Sequence, residues 1–240
     1  LNGSKRFCLW LKDAAPEDVR ACVSVRIRIE SVRMFRENSN RQATKKLAET
    51  PYRFGEIRQP ECDYILIPKV SSESRRYLPI GIVHPEVIAS GSALIIEKSN
   101  LFVFGVISAM MHMAWMRSVC GRLESRYQYS AQIVYNNFPW PAKPADAQKK
   151  AVEGATQKVL DARAKFANAT LADLYNPEIM PKVLLDAHHA LDRAVDKCYG
   201  KRTFANEPER LEFLFGLYKE YTERQMMMEH LGEKKGSKKK

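Results

Sequence analysis

The sequence predicts an α+β protein: a small mixed sheet with a buried helix, followed by an all-α C-terminal region. Three observations carry this. Between Cys62 and Glu97 the chain breaks into short β-branched runs, DYILIPKV, RRYLPIGIV, EVIAS and ALIIE, punctuated by Pro, Gly and Ser, as a small sheet requires. From Leu101 to Cys120, LFVFGVISAMMHMAWMRSVC is Met-rich and apolar almost all round, the composition of a helix covered on every side. Beyond Pro141 the apolar residues fall at helical spacing, most clearly Val183, Leu184, Ala187, Leu191 and Val195.

Taken in order, residues 5–12 (KRFCLWLK) alternate and read as a strand, and Pro16-Glu17-Asp18 opens a helix to about Asn38. Its apolar positions Val19, Val23, Ile27 and Val32 or Met34 sit only loosely at helical spacing, and Val25, Ile27 and Ile29 fit a strand face as well. After the sheet and the long apolar helix, Gly121 ends the helix, RLESRYQYS alternates as a strand, and YNNFPWPAKP marks a domain boundary. Helices follow over 145–168, 181–199 and 207–228, separated by Asn176-Pro177 and Gly200. The expected domains are 1–142 and 143–228, with a disordered basic tail at 229–240. Because Leu1 falls at the edge of an expected strand, the chain is expected to continue from an upstream domain.

With 240 residues, 45% of them hydrophobic, the chain can bury a substantial core. Its net charge is +11, and the five lysines and one glutamate from Glu233 onward leave +7 on the body. A basic body favours a polyanion partner through counterion release, with nucleic acid the first expectation. Five scattered cysteines without a CxxC pair point away from a zinc ribbon or a disulfide framework and toward a reducing, cytoplasmic setting. No apolar run approaches the roughly 18–20 residues of a membrane span, so no membrane partner is expected.

The segment Arg117–Tyr129 carries the most suggestive chemistry. On one alternating strand Glu124, Arg126 and Gln128 share a face, and Arg122 joins them. Arginine donates two hydrogen bonds to guanine O6 and N7, glutamate accepts from cytosine N4, and glutamine pairs with adenine N6 and N7, so Glu124 with Arg126 suits one C·G pair. A solvated strand face with a Glu–Arg ion pair fits the same residues. Between two expected strands, Lys69, Ser71, Ser72, Arg75 and Arg76 form a loop of phosphate donors, with a merely solvated loop as the alternative. His188, His189, Asp192 and Asp196 place His and Asp on one helical face, which reads as a partly buried face ahead of a metal site because further ligands are lacking. His112 reads as a core histidine. Asn136-Asn137-Phe138-Pro139-Trp140 has the wrong order for an adenine-holding Asn/Asp-Pro-Pro-aromatic motif, and no Gly-rich methyl-donor turn follows a strand, so no catalytic residue is assigned.

Four segments, RFCLWL (6–11), IPKVSSESRRYLPIG (67–81), MHMAWMRSVCGRLESRYQYS (111–130) and IVYNNFPWP (133–141), resemble the C-terminal half of the MmeI-like (type IIL) restriction–modification enzymes and their methyltransferase relatives. Weaker similarity continues through LADLYNP and AHHALD, so the resemblance covers nearly the whole chain. It implies that 1–142 is a DNA target recognition domain and 143–228 a helical C-terminal domain, preceded by a γ-class N6-adenine methyltransferase domain and, in some members, a nuclease. The positions after GRL that read bases in that family fall here on Glu124, Arg126 and Gln128, and family variants carrying Lys-x-Asp at the first two reverse C·G to G·C. The implied partners are double-stranded DNA and the enzyme's own methyltransferase domain, to which the cofactor S-adenosylmethionine belongs, since its motifs are missing here. The rival expectations are a nonspecific or RNA-binding module, a helical protein-interaction module, and a self-sufficient enzyme.

Overall fold

A proline at the first helical position with two acids behind it starts α1 (Pro16–Ala21). Cys22 is extended, closing α1 and opening α2 (Val23–Glu37), so the helix expected to run unbroken to Asn38 is two. The computed structural model describes residues 6–98, 100–200 and 203–236, and the chain divides into two compact units, residues 4–59 and 60–240. In the smaller unit α3 (Gln42–Lys46) runs into a 3₁₀ turn at Leu47–Glu49. Arg36 ties the unit together, donating to the carbonyls of Leu47 at 2.8 Å, Thr50 at 3.0 Å and Arg53 at 2.8 Å. The ambiguous pattern of α2 has a geometric reason: Val25, Ile29 and Arg36 lie on a half-buried face, whereas Val23, Ile27 and Met34 lie on the opposite, exposed one. The strand expected at 5–12 is not formed; residues 6–11 are irregular, and Lys5 lies outside the described residues. Alternation makes a strand only where a neighbouring strand accepts its ladder, and the described residues of this unit hold none. Trp10 instead rests against Phe54, ring centres 5.4 Å apart.

The larger unit carries the α+β fold. Instead of one mixed sheet it holds two three-stranded antiparallel sheets. The first has β1 (Tyr64–Pro68) at its centre between β3 (Gly81–Val83) and β4 (Ala93–Ile96). The second places β6 (Arg126–Gln128) between β2 (Val70–Ser71) and β5 (Gly121–Leu123). Arg76–Ile80, expected in a strand, is irregular but buried through Tyr77, Leu78 and Ile80, and EVIAS leaves a turn at Glu86 as irregular chain. The long apolar helix breaks at Ala109 into α4 (Leu101–Ser108) and α5 (Met110–Val119), bent by 57°. Every residue of α5 from Met110 to Met116 is buried. No single helix is long and apolar enough to cross a membrane among the described residues.

Four helices complete the unit: α6 (Asp146–Ala164), α7 (Leu171–Leu174), α8 (Lys182–Cys198) and α9 (Glu207–Gly236). The helical backbone of α9 extends into the segment expected as a disordered tail, and residues 237–240 lie outside the described residues. The boundary read at Pro141 falls inside this unit, because α4 packs on α6 and α5 packs on α8 and α9. The linker YNNFPWP is anchored there: Tyr199 donates to the Pro139 carbonyl at 2.9 Å, Tyr221 to that of Trp140 at 3.2 Å, and Phe138 meets His112 edge-on.

Three of the candidate ligands on α8, His188, Asp192 and Asp196, are engaged by residues outside the set. His188 shares a 2.7 Å hydrogen bond with Tyr175 and stacks on Tyr77, and Asp196 pairs with Arg210 at 2.6 Å. Arg163, also buried, donates to the Ile80 carbonyl at 2.8 Å and to the Tyr175 hydroxyl.

Two stability predictions follow from this packing. At Gly105 a Cβ would stand 2.2 Å from Thr156 Oγ1 and 2.8 Å from Val152 Cγ1, where α4 crosses α6. Overpacking costs about 1–3 kcal/mol and exceeds the roughly 1 kcal/mol alanine gains in a helix, so Gly105→Ala lowers the melting temperature.

The second concerns acid. Burial pushes His112 down from 6.5 to about 3, and His188 also falls well below its usual value, chiefly through burial. Below about pH 6.5 the unfolded chain takes up protons that these folded imidazoles refuse, so stability present above that pH is lost as pH falls toward 3, at about 1.4 kcal/mol per unit per histidine. Burial raises the Asp192 carboxyl, which opposes the trend with one group against two. Thermal melts at pH 5 therefore fall below those at pH 7, and His112→Gln narrows the gap.

Candidate nucleic-acid interface

The sheet β2–β6–β5 brings together the two basic segments that the sequence separates by some fifty positions. Val70 pairs with Gln128 and Ser71 with Tyr127 on one side of β6; Gly121, Arg122 and Leu123 pair with Gln128, Tyr127 and Arg126 on the other. Residues directly opposite one another project to the same face. One face therefore carries Leu123, Arg126, Gln128 and Val70, and the other carries Arg122, Tyr127 and Ser71.

Glu124 and Ser125 are the two-residue turn between β5 and β6, so RLESRYQ is a hairpin and not one alternating strand. Arg126 and Gln128 share an exposed face as expected. Glu124 sits at the tip with φ +58°, from which its carboxylate accepts a 2.6 Å hydrogen bond from Arg126. The side chains of this pair are 47% and 76% exposed for Arg126 and Glu124, so it is worth only about 0–1 kcal/mol and exchanges readily for other partners. Arg122 does not share their face. Its guanidinium lies 4.2 Å over the Tyr127 ring, donates to the Ser125 carbonyl at 2.8 Å and stands 3.8 Å from Glu73, which fixes the hairpin from behind.

The loop Lys69–Arg76 leaves β2 beside this hairpin. Arg76 and Glu73 are exposed, and Ser72 and Arg75 are half-buried. Burial draws the Arg75 guanidinium below its usual value. Ser71 is buried, its hydroxyl 3.5 Å from an Arg75 nitrogen, and Ser72 shares a 2.8 Å hydrogen bond with Ser74. Lys69 donates to the Gly91 carbonyl at 2.8 Å. Arg117 of α5 secures the far end of the loop, donating to the carbonyls of Arg75 at 3.1 Å and Arg76 at 3.0 Å while pairing with Glu207. Arg76, Arg126, Gln128 and Glu124 are exposed, as is Arg122 on the opposite face of the hairpin, whereas Ser71 is buried.

A groove of about 360 Å³ runs along the Gln128 face, lined by Lys69, Leu94, Gly121, Gln128, Ser130 and Ile133. Ile133, half-exposed on the π-helical turn Ala131–Tyr135, and Leu123, on the Arg126 face, are exposed apolar groups that sequence reasoning missed. Such groups suit a thymine methyl. Their signal was weak: IVYNNFPWP reads as a linker, and an isolated exposed isoleucine is unremarkable in a sequence. A larger cavity of about 520 Å³ lies along α9 but is lined by Glu209, Glu212 and Glu220, the wrong sign for a phosphate backbone.

The family described as "MmeI, target recognition domain" matches residues 1–142, more than half of the chain. The chain belongs to the MmeI family. A second MmeI match, to the C-terminal domain, covers residues 144–226. The chain is 38% identical over 224 residues to DNA methyltransferase A of Bacillus subtilis (strain 168), spanning 93% of this chain and 25% of that protein. It also superposes with a TM-score of 0.87 and 46% identity on the structure of the Type IIL restriction–modification enzyme MmeI in complex with DNA, covering 90% of this chain and 29% of that one. It therefore spans between a quarter and a third of the length of these two relatives.

The hairpin turn yields a prediction within this MmeI-type domain. A left-handed backbone costs a non-glycine residue about 1–2 kcal/mol, more than an exposed ion pair returns. Glu124→Gly should leave the melting temperature unchanged or higher; a fall of several degrees would show the carboxylate to be structural.

Proposed function

We propose that this chain is the sequence-reading part of an S-adenosylmethionine-dependent N6-adenine DNA methyltransferase of the restriction–modification type, acting on double-stranded DNA beside the enzyme's own methyltransferase domain. The observation that carries the reading is the exposed face and hairpin tip of the β2–β6–β5 sheet, where Glu124, Arg126 and Gln128 stand next to a basic loop. In a major groove, Glu124 accepts from cytosine N4 while Arg126 donates to guanine O6 and N7, and Gln128 presents a donor and an acceptor to adenine. Each good pairing discriminates by about 1–3 kcal/mol. Arg75, Arg76, Ser72 and Lys69 supply phosphate contacts, with Ser71 and Arg122 supporting them, which sets register and makes binding salt-sensitive.

The residues present do not fit the methyl donor. The strand-to-helix passage between β4 and α4 runs through Glu97-Lys98-Ser99-Asn100, without the glycines that let a backbone approach a nucleotide. Holding S-adenosylmethionine and flipping the target adenine are assigned to the methyltransferase domain. At this sheet a single-strand or RNA-binding mode is disfavoured because its aromatics, Tyr127 and Tyr129, are only 8% and 3% exposed and cannot stack on bases.

Methylation-site mapping of the enzyme carrying this chain tests the proposal, comparing wild type with the double variant Glu124→Lys/Arg126→Asp. One C·G position in the methylated site should become G·C. An unchanged site, or the absence of adenine methylation in wild type, would remove the base-reading role.

A further inference from the structure

The break between α4 and α5 exposes a helix start deep in the protein, and the way it is satisfied carries an inference that rests on the reading just given. The start of α4 is capped locally, the Asn100 side chain accepting from the Val103 N–H at 2.9 Å. At the start of α5 the cap position is Ala109, whose methyl accepts nothing. The Met110 N–H donates instead to Asp192 Oδ1 at 2.7 Å, a carboxylate on α8 that lies 82 residues further along the chain. The other oxygen of the same carboxylate, Oδ2, accepts from the Tyr77 hydroxyl at 2.6 Å.

These two donors anchor the two DNA-facing elements. Tyr77 follows directly on the basic loop Lys69–Arg76, and Met110 is the first residue of the helix whose far end passes through Cys120 into β5 and the Glu124 turn. A local serine, asparagine or aspartate at position 109 would cap α5 through the N–H of Met111 or His112 without joining anything to the loop. We propose that Asp192 is a positioning residue for sequence recognition, holding the phosphate-contacting loop and the base-reading hairpin at one fixed offset from a helix of the C-terminal region. Arg117 reinforces that offset from the other end of α5 through the Arg75 and Arg76 carbonyls and Glu207.

The offset matters because phosphate contacts set the register in which base contacts are tested. If the loop and hairpin move independently, correct and incorrect duplexes are gripped alike, and misplacement by about 1 Å is enough to cost orders of magnitude at a reacting centre. A purely structural role predicts something else: fewer folded molecules, with equal loss on every duplex.

The test uses the full-length enzyme and measures kcat/KM for methylation of its cognate duplex and of duplexes changed at one base pair, at a temperature where circular dichroism shows each variant folded. Asp192→Ala should lower the cognate to near-cognate ratio about tenfold. Tyr77→Phe, which keeps the ring and the α5 cap, should lower it in the same direction by about threefold or more. Asp192→Asn, whose amide oxygen can still cap Met110 and whose nitrogen can donate to the Tyr77 oxygen, should retain the wild-type ratio. Should Asp192→Ala fail to fold, Tyr77→Phe decides alone. An unchanged ratio in Tyr77→Phe, in an enzyme whose wild type reads a defined site, overturns the positioning role and leaves the proposed function intact. A wild type without any defined site sinks the function itself.

Discussion

A helix apolar on all sides must be covered on all sides, and the larger unit is arranged around that constraint. α5 buries Met110, Met111, His112, Met113, Ala114, Trp115 and Met116, each large side chain contributing about 1.5–3 kcal/mol of burial. The cover comes from α4, α8, α9 and the turn Ala131–Tyr135, where the Trp115 indole donates to the Val134 carbonyl at 3.0 Å. This helix leads directly into β5: burial is complete through Met116 and gives way at Arg117–Cys120, so the hairpin emerges from a buried anchor one turn back. The proposed reading surface needs that kind of support: Arg126 and Gln128 are exposed, but the strand between them turns Tyr127 inward under the Arg122 guanidinium. Exposure for contact and rigidity for discrimination are divided between alternate residues of the same three-residue strand.

The Glu124–Arg126 pair shows why a short, well-formed ion pair is compatible with a binding role. Both side chains are accessible to water, which screens their attraction, so each can change partner at low cost. In a groove the acid would meet an exocyclic amine and the guanidinium a pair of acceptors, so the two charges would remain neighbours while their hydrogen bonds were redirected. The left-handed backbone of Glu124 adds a small bias, since strain kept at an exposed tip without a packing reason is commonly associated with function.

Much of this was legible in the sequence, and the failures have physical causes. The apolar run 101–120, the sheet region and the C-terminal helices followed from periodicity and composition. Glu124, Arg126 and Gln128 were legible as a group, but the period-2 rule placed Arg122 among them because nothing in RLESRYQ marks a turn; the residue at positive φ is a glutamate, where glycine or asparagine would have given the signal. The breaks at Cys22 and Ala109 were equally silent, lacking proline or glycine. The KRFCLWLK alternation lacked a partner strand. Most important, sequence gives no register between distant segments: that Val70 lies against Gln128, joining the loop to the hairpin, appears only once the chain has folded.

The same limit applies to where one domain ends. The family matches divide the chain at residues 142 and 144, yet packing makes one unit of 60–240. Polar contacts explain why the division is not a mechanical one. Arg163 reaches the Ile80 carbonyl, Asp192 holds Tyr77 and Met110, Arg117 pairs with Glu207, and Tyr199 and Tyr221 hold the linker carbonyls. Several of these groups are buried, and removing one partner of a buried polar pair strands the other at about 1–3 kcal/mol. A recognition module cut at Pro141 would therefore lose the partners that orient its loop and helix. The helical region packs as one wall of the same compact unit, which extends from residue 60 into α9.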